Sequence, residues 1–156
     1  MASKIKDLPF TPSEGYAFIL KYETTLAASS FGKGGGVIRI FKIEGDTQYA
    51  SISNDQVTIQ PGTYIISGVI DIGSSGIANV YLRLAGDISN SGIKVPGAAN
   101  VADSGMNLAF PIEGVLTVET ETVYELFCSS GLGGNMGKQC SFGVVEVYNA
   151  VAFIRI

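Results

Sequence analysis

Apolar and polar positions alternate with a period of two along most of the chain. In TYIISGVIDI, residues 63–72, Tyr64, Ile66, Gly68, Ile70 and Ile72 share one side, while Thr63, Ile65, Ser67, Val69 and Asp71 share the other. That is the pattern of a strand with one buried face and one mixed face. Similar runs bounded by Gly, Pro, Asn, Asp and Ser recur from Tyr16 to Ile156, and no window carries a helical period with caps. The alternation predicts an all-β domain with strands at Tyr16–Tyr22, Val37–Ile43, Gln48–Ile52, Val57–Ile59, Thr63–Ile72, Ile77–Leu84, Met106–Phe110, Gly114–Val118, Thr122–Cys128, Gly143–Tyr148 and Val151–Ile156. Roughly eight to eleven strands with Gly-rich turns suit a two-sheet sandwich such as a jelly roll. In the last run Val151, Phe153 and Arg155 oppose Ala150, Ala152, Ile154 and Ile156, so both faces call for cover, one from the opposite sheet and one from a neighbouring subunit.

Between the strands, residues 85–105 (AGDISNSGIKVPGAANVADSG) and 129–139 (SSGLGGNMGKQ) read as the two long loops, the places where a rigid sandwich presents contacts to a partner. Residues 1–14 contain two prolines and no sustained alternation, and read as an N-terminal extended arm ahead of a domain at 15–156. Ile5, Leu8, Pro9 and Phe10 give that arm an apolar docking surface.

Composition narrows the function. Apolar residues make up 46% of the 156 and charged residues 15%, which excludes a disordered chain and leaves too little charge to cover a free surface. Lys and Arg number ten, are scattered, and are outweighed to a net charge of −4, so no nucleic-acid partner is expected. No apolar run reaches about 18 residues, so no membrane insertion is expected. Lys4 and Lys6 lead into Asp7 and Pro9 instead of a secretory apolar stretch, which points to synthesis in a cytoplasm. Cys128 and Cys140 bracket the second loop; they form either a disulfide or, the favoured reading, two reduced and partly buried thiols.

Catalytic devices are scarce. With no histidine, Ser-His-Asp and Cys-His nucleophiles and His-containing zinc sites are excluded, and two cysteines cannot build a four-cysteine site. FGKGGG at 31–36 lacks the GxxxxGK[ST] spacing and a following helix, so it reads as an inter-strand turn. Glu44 with Asp46, or Glu119 with Glu121, offers a carboxylate pair, but residues two apart on a strand more often form a solvated edge. The oxygen-rich segment Asp87–Asn90 lacks the dense Asp spacing of a calcium loop. The expectation is a protein that is not an enzyme and needs no cofactor or metal.

VTIQPGTYIISGVIDI, residues 57–72, resembles the signature strand pair of the tumour necrosis factor-like jelly rolls, including complement globular heads. There a β-run ends in Pro-Gly and a Tyr follows within two residues; Pro61, Gly62 and Tyr64 match. AFILKY at 17–22 corresponds to the opening strand and NAVAFIRI at 149–156 to the closing one, without the family's usual aromatic-and-glycine ending. The resemblance implies a jelly-roll β-sandwich that assembles as a homotrimer around its inner sheets. Separately, KIKDLP at 4–9 looks like the Leu-Pro lead-ins of tailed-phage virion proteins.

Taken together, these readings predict a bacteriophage virion protein: a homotrimeric capsid decoration or cement protein that binds the major capsid protein or another virion protein. Ile5, Leu8, Pro9 and Phe10 are the expected capsid anchors, and Tyr64, Ile66, Phe153 and Ile156 the expected trimer or core packing residues. The alternative is a receptor-binding knob of a fibre or spike, whose loops touch a host surface glycan or protein.

Overall fold

The structure, a computed structural model, describes residues 18–24, 30–31, 35–38, 40, 42–73, 76–87, 89, 91–102, 107–130, 134–135 and 146–156. The predicted arm and its Ile5, Leu8, Pro9 and Phe10 lie outside the described residues. Among those described there is no helix, as the alternation predicts. The strands are β1 (Phe18–Thr24), β2 (Ser30–Phe31), β3 (Gly36–Val37), β4 (Lys42–Gly45), β5 (Ala50–Ser53), β6 (Gln56–Ile59), β7 (Gly62–Gly73), β8 (Gly76–Leu84), β9 (Ile93–Ala102), β10 (Asn107–Val118), β11 (Thr122–Ser130), β12 (Gly134–Asn135) and β13 (Glu146–Arg155).

Ten of these form a continuous path, β4-β1-β13-β7-β10-β9-β8-β11-β6-β5. It curls into a nearly closed, barrel-like sandwich. One half is β4-β1-β13-β7-β10 and the other β9-β8-β11-β6-β5, joined at the single pair Ile112↔Gly97. Each half turns one side-chain row inward, because a strand alternates its faces. Phe18, Leu20, Tyr64, Ile66, Ile70, Phe110, Ile112, Val151 and Phe153 from the first half meet Val57, Ile59, Val80, Leu82, Val95, Tyr124 and Leu126 from the second in one core. Phe18 stacks on Phe153 with ring centroids 4.6 Å apart and meets Tyr64 edge-on at 6.1 Å, which ties the opening strand to the closing one.

The Pro-Gly pair sits where the chain leaves one half for the other. β6 ends at Ile59, and β7 begins at Gly62 beside β10 and β13. The Tyr64 hydroxyl donates to the Gln60 carbonyl at 2.8 Å, bracing that crossover from inside. A buried phenol needs such a partner, and a bond of this kind adds about 0.5–1.5 kcal/mol.

Several boundaries differ from the sequence expectation. The segments expected at Met106–Phe110 and Gly114–Val118 are one strand, β10, because Pro111 does not interrupt it. The Pro111 carbonyl lies on the Gly97 side, so its missing N–H also falls there, along the seam that holds only one pair, while the β7 edge stays paired from Asn107↔Gly73 to Val118↔Gly62. The last two expected segments likewise fuse into β13. Residues 85–105 are not one long loop: Ile93–Ala102 is strand β9, paired with β8 from Gly76↔Ala102 to Arg83↔Ile93. Pro96 is accommodated opposite Tyr81, beside a register irregularity, and Gly97 lies so close to the Val80 carbonyl that a Cβ would stand 2.5 Å from its oxygen. In the second expected loop, Ser129 and Ser130 belong to β11, and Gly134–Asn135 pairs with β2 and with Gly73. The expected strand Val37–Ile43 is two strands. Ile38 and Ile40 pass between the halves, with Ile38 N–H on the Leu126 carbonyl and Ile40 N–H on the Asp55 carboxylate, at 2.8 and 3.0 Å.

Candidate functional site

Among the described residues, the outward face of β1, β13, β7 and β10 carries the broadest exposed apolar surface. Three cross-strand rows cover it: Ile154–Ile65–Val115, Ile19–Ala152–Ser67–Glu113, and Lys21–Ala150–Val69–Pro111. Alternation forces this outcome. With Tyr64, Ile66, Ile70, Val151 and Phe153 turned into the core, the intervening residues must face outward, and here they are mostly apolar. Ile65 is 40% exposed, Val69 46% and Val115 60%. Between Ile65, Ser67, Glu113 and Val115 the face dips into a hollow of about 410 Å³. Burying the exposed parts of these three side chains would contribute on the order of 1 kcal/mol each.

A charged rim borders the face on β4 and β1. Glu44 accepts from Lys21 at 2.6 Å and from Lys42 at 2.8 Å. The Lys21 hydrogen bond first, and the Lys42 bond second, hold its carboxyl below the usual range. Because the group is solvent-exposed, this rim orients the edge more than it stabilises the fold.

The structure places the expected packing residues unevenly. Tyr64, Ile66 and Phe153 are completely or almost completely buried inside the chain's own core, whereas Ile156 is 71% exposed and is held through its N–H to the Thr63 carbonyl at 2.9 Å. Tyr64 and Phe153 meet through Phe18; Ile156 stands apart from them.

Three of the four residues of the expected acidic pairs are engaged in hydrogen bonds or ion pairs. Glu44 is bound as above, Asp46 accepts from the backbone N–H and side-chain amide of Gln48, and Glu121 accepts from the Gln60 amide. Asp87 accepts from the Ser89 N–H and hydroxyl and from the Gly92 N–H; the Ser89 hydroxyl, then the Gly92 amide, lower its pKa. No group of three or more His, Cys, Asp or Glu positioned for a metal occurs among the described residues.

Sequence reasoning missed a buried ion pair. Arg83 and Glu125 lie on the outward face of β8 and β11, yet are 5% and 2% exposed. Arg83 Nε and Nη2 meet Glu125 Oε1 at 2.8 and 2.7 Å, and the Gln56 amide approaches Oε2 at 3.5 Å. The guanidinium lies 3.6 Å from the centre of the Phe127 ring, which in turn tilts against Tyr81. The available signal was a single charge inside each of the apolar runs VYLRL and YELF.

Cys128 is a free, fully buried thiol on the core side of β11, more enclosed than the partly buried state expected. Cys140 lies outside the described residues. Burial disfavours the thiolate and pushes the Cys128 pKa from 9.0 up to about 12. In native protein at pH 8 Cys128 should therefore resist iodoacetamide while the urea-unfolded chain is alkylated, as read by peptide mass spectrometry; rapid native alkylation would contradict the burial. Since the folded value lies above the unfolded one, Cys128 disfavours the folded state progressively as pH rises from about 9 to about 12.

Compared with protein-family models and with curated proteins, the chain matches none.

Proposed function

We propose that the protein is a structural component of a bacteriophage virion, a homotrimeric jelly roll that decorates and cements the capsid surface. The observation that carries this reading is the apolar outward face of β1, β13, β7 and β10. Strand order supports the jelly-roll part: the closing strand β13 lies between the opening strand β1 and β7, the strand that follows Pro61-Gly62. In the tumour necrosis factor-like jelly rolls that this stretch resembles, the sheet built in this way is the one that meets its copies at a threefold axis. Three copies arranged so would remove Ile65, Val69 and Val115 from water and fill the hollow beside Ser67.

In this reading the segment 1–14 grips the major capsid protein through Ile5, Leu8, Pro9 and Phe10. Three weak anchors on one trimer hold firmly because, once the first has docked, the others bind at a high effective concentration.

Val115→Asp places a charge on the outward face without entering the core. It should reduce the native mass from three chains to one while the far-ultraviolet circular dichroism stays that of a β protein; a Val115→Asp variant that remains trimeric would remove this face from the assembly. Phe153→Asp, by contrast, should unfold the chain, because Phe153 is fully buried within its own core. Deleting residues 2–13 should abolish binding to capsids and leave the trimer intact; undiminished capsid binding would rule out the arm as anchor.

A further inference from the structure

We propose that the cleft at the open end of the β9–β10 seam binds a neutral saccharide unit. β9 and β10 pair only at Ile112↔Gly97, and no further pair joins them toward Lys94 and Thr117. At that end lies a cleft of about 360 Å³, within the size range of small-ligand sites. Its lining combines the apolar surface of Leu84 and of the Tyr124 ring with the hydroxyls of Thr117, Thr120 and Thr122 and the charged side chains of Lys94 and Glu119.

The donor and acceptor inventory narrows the ligand class to molecules without net charge. Lys94 offers only donors, Glu119 only acceptors, and each threonine hydroxyl both. Thr122 already donates its hydroxyl proton to the Thr120 carbonyl at 2.7 Å and hydrogen-bonds the Tyr124 phenol, and the Thr117 hydroxyl is shared with that of Thr63 at 3.3 Å, so Thr122 keeps one lone pair as an acceptor and Thr117 one donor or acceptor position. Neither Lys94 nor Glu119 has an ion-pair partner among the described residues, unlike Lys21, Lys42, Glu44, Arg83 and Glu125. An anion would meet Glu119 and a cation would meet Lys94. A ring bearing vicinal hydroxyls, each both donor and acceptor, can satisfy the whole set, and its C–H face fits the apolar surface of Leu84 and Tyr124. This site does not depend on the virion reading.

The test is an amide-resolved NMR titration of the full-length protein with D-galactose, D-glucose and N-acetyl-D-glucosamine, with inorganic phosphate as a charged comparator. At least one sugar should give saturable shifts confined to residues 94 and 117–122, with a dissociation constant on the order of 1–10 mM. Lys94→Ala and Glu119→Gln, both at exposed positions, should each weaken that sugar at least about fivefold, the loss of one polar partner, while the remaining spectrum stays unchanged. Absence of saturable shifts with all three sugars, shifts that map elsewhere, tighter binding of phosphate, or unaltered affinity in both variants would overturn the proposal.

Discussion

Arg83→Met should cost about 3–5 kcal/mol of folding stability, the usual result of leaving one partner of a buried ion pair behind. Glu125 is 2% exposed and, among the described residues, would keep only the Gln56 amide, 3.5 Å away, as a polar partner. The Phe127 ring would also lose the guanidinium stacked on it. For a chain of this size the melting temperature should fall by roughly 2–4 °C per kcal/mol, hence by roughly 6–20 °C. The double variant Arg83→Met with Glu125→Leu removes both charges and should recover most of the loss, since buried pairs are often replaceable by apolar groups of similar volume. Thermal and urea unfolding of the two singles and the double decide the matter. A single variant within about 1 kcal/mol of the parent would show that the pair is effectively solvated.

Gly68→Ala should destabilise the fold by about 3 kcal/mol or more, despite adding only a methyl group. A Cβ at residue 68 would stand 2.3 Å from the Ala150 carbonyl oxygen and 2.6 Å from the Val151 Cα. Both are backbone atoms of β13, so no side-chain rotation can relieve the contact. The methyl group would force β13 away from β7, beginning at the pair Val151↔Gly68, and loosen the strand that carries Phe153. Urea unfolding should show a lower midpoint; a midpoint equal to the parent's would mean that the two strands have room to separate.

How far the sequence reveals this molecule depends on whether the controlling interaction is local. The strand TYIISGVIDI was legible because period-two alternation directly expresses one face in the core and one outside, and its inward residues are those expected. The continuity of β10 was not, since a proline can stay within a strand only when its missing N–H faces a side that needs no bond, and that side is set by β9. The Pro-Gly signal in IKVPGAANVA misled in the same way, because pairing to β8 overrides it. Arg83 and Glu125 are more than forty positions apart, and only the β8–β11 register brings them together.

The candidate surface was partly legible. Alternation in the last strand shows that Ala150, Ala152 and Ile154 need cover, but not that Ile65, Val69 and Val115 extend the same face across β7 and β10. Phe153 and Tyr64, expected in trimer or core packing, lie in the chain's own core, where large side chains are covered when one sandwich half closes over the other. Val115 is smaller and gives no comparable signal in the sequence.

In the proposed trimer this outward face closes on two further copies of the chain. The most direct measurement is the native mass of the purified protein by light scattering at micromolar concentration. The account predicts three times the 16.3 kDa chain mass; a stable mass of 16.3 kDa, with Ile65, Val69 and Val115 left in water, would contradict it.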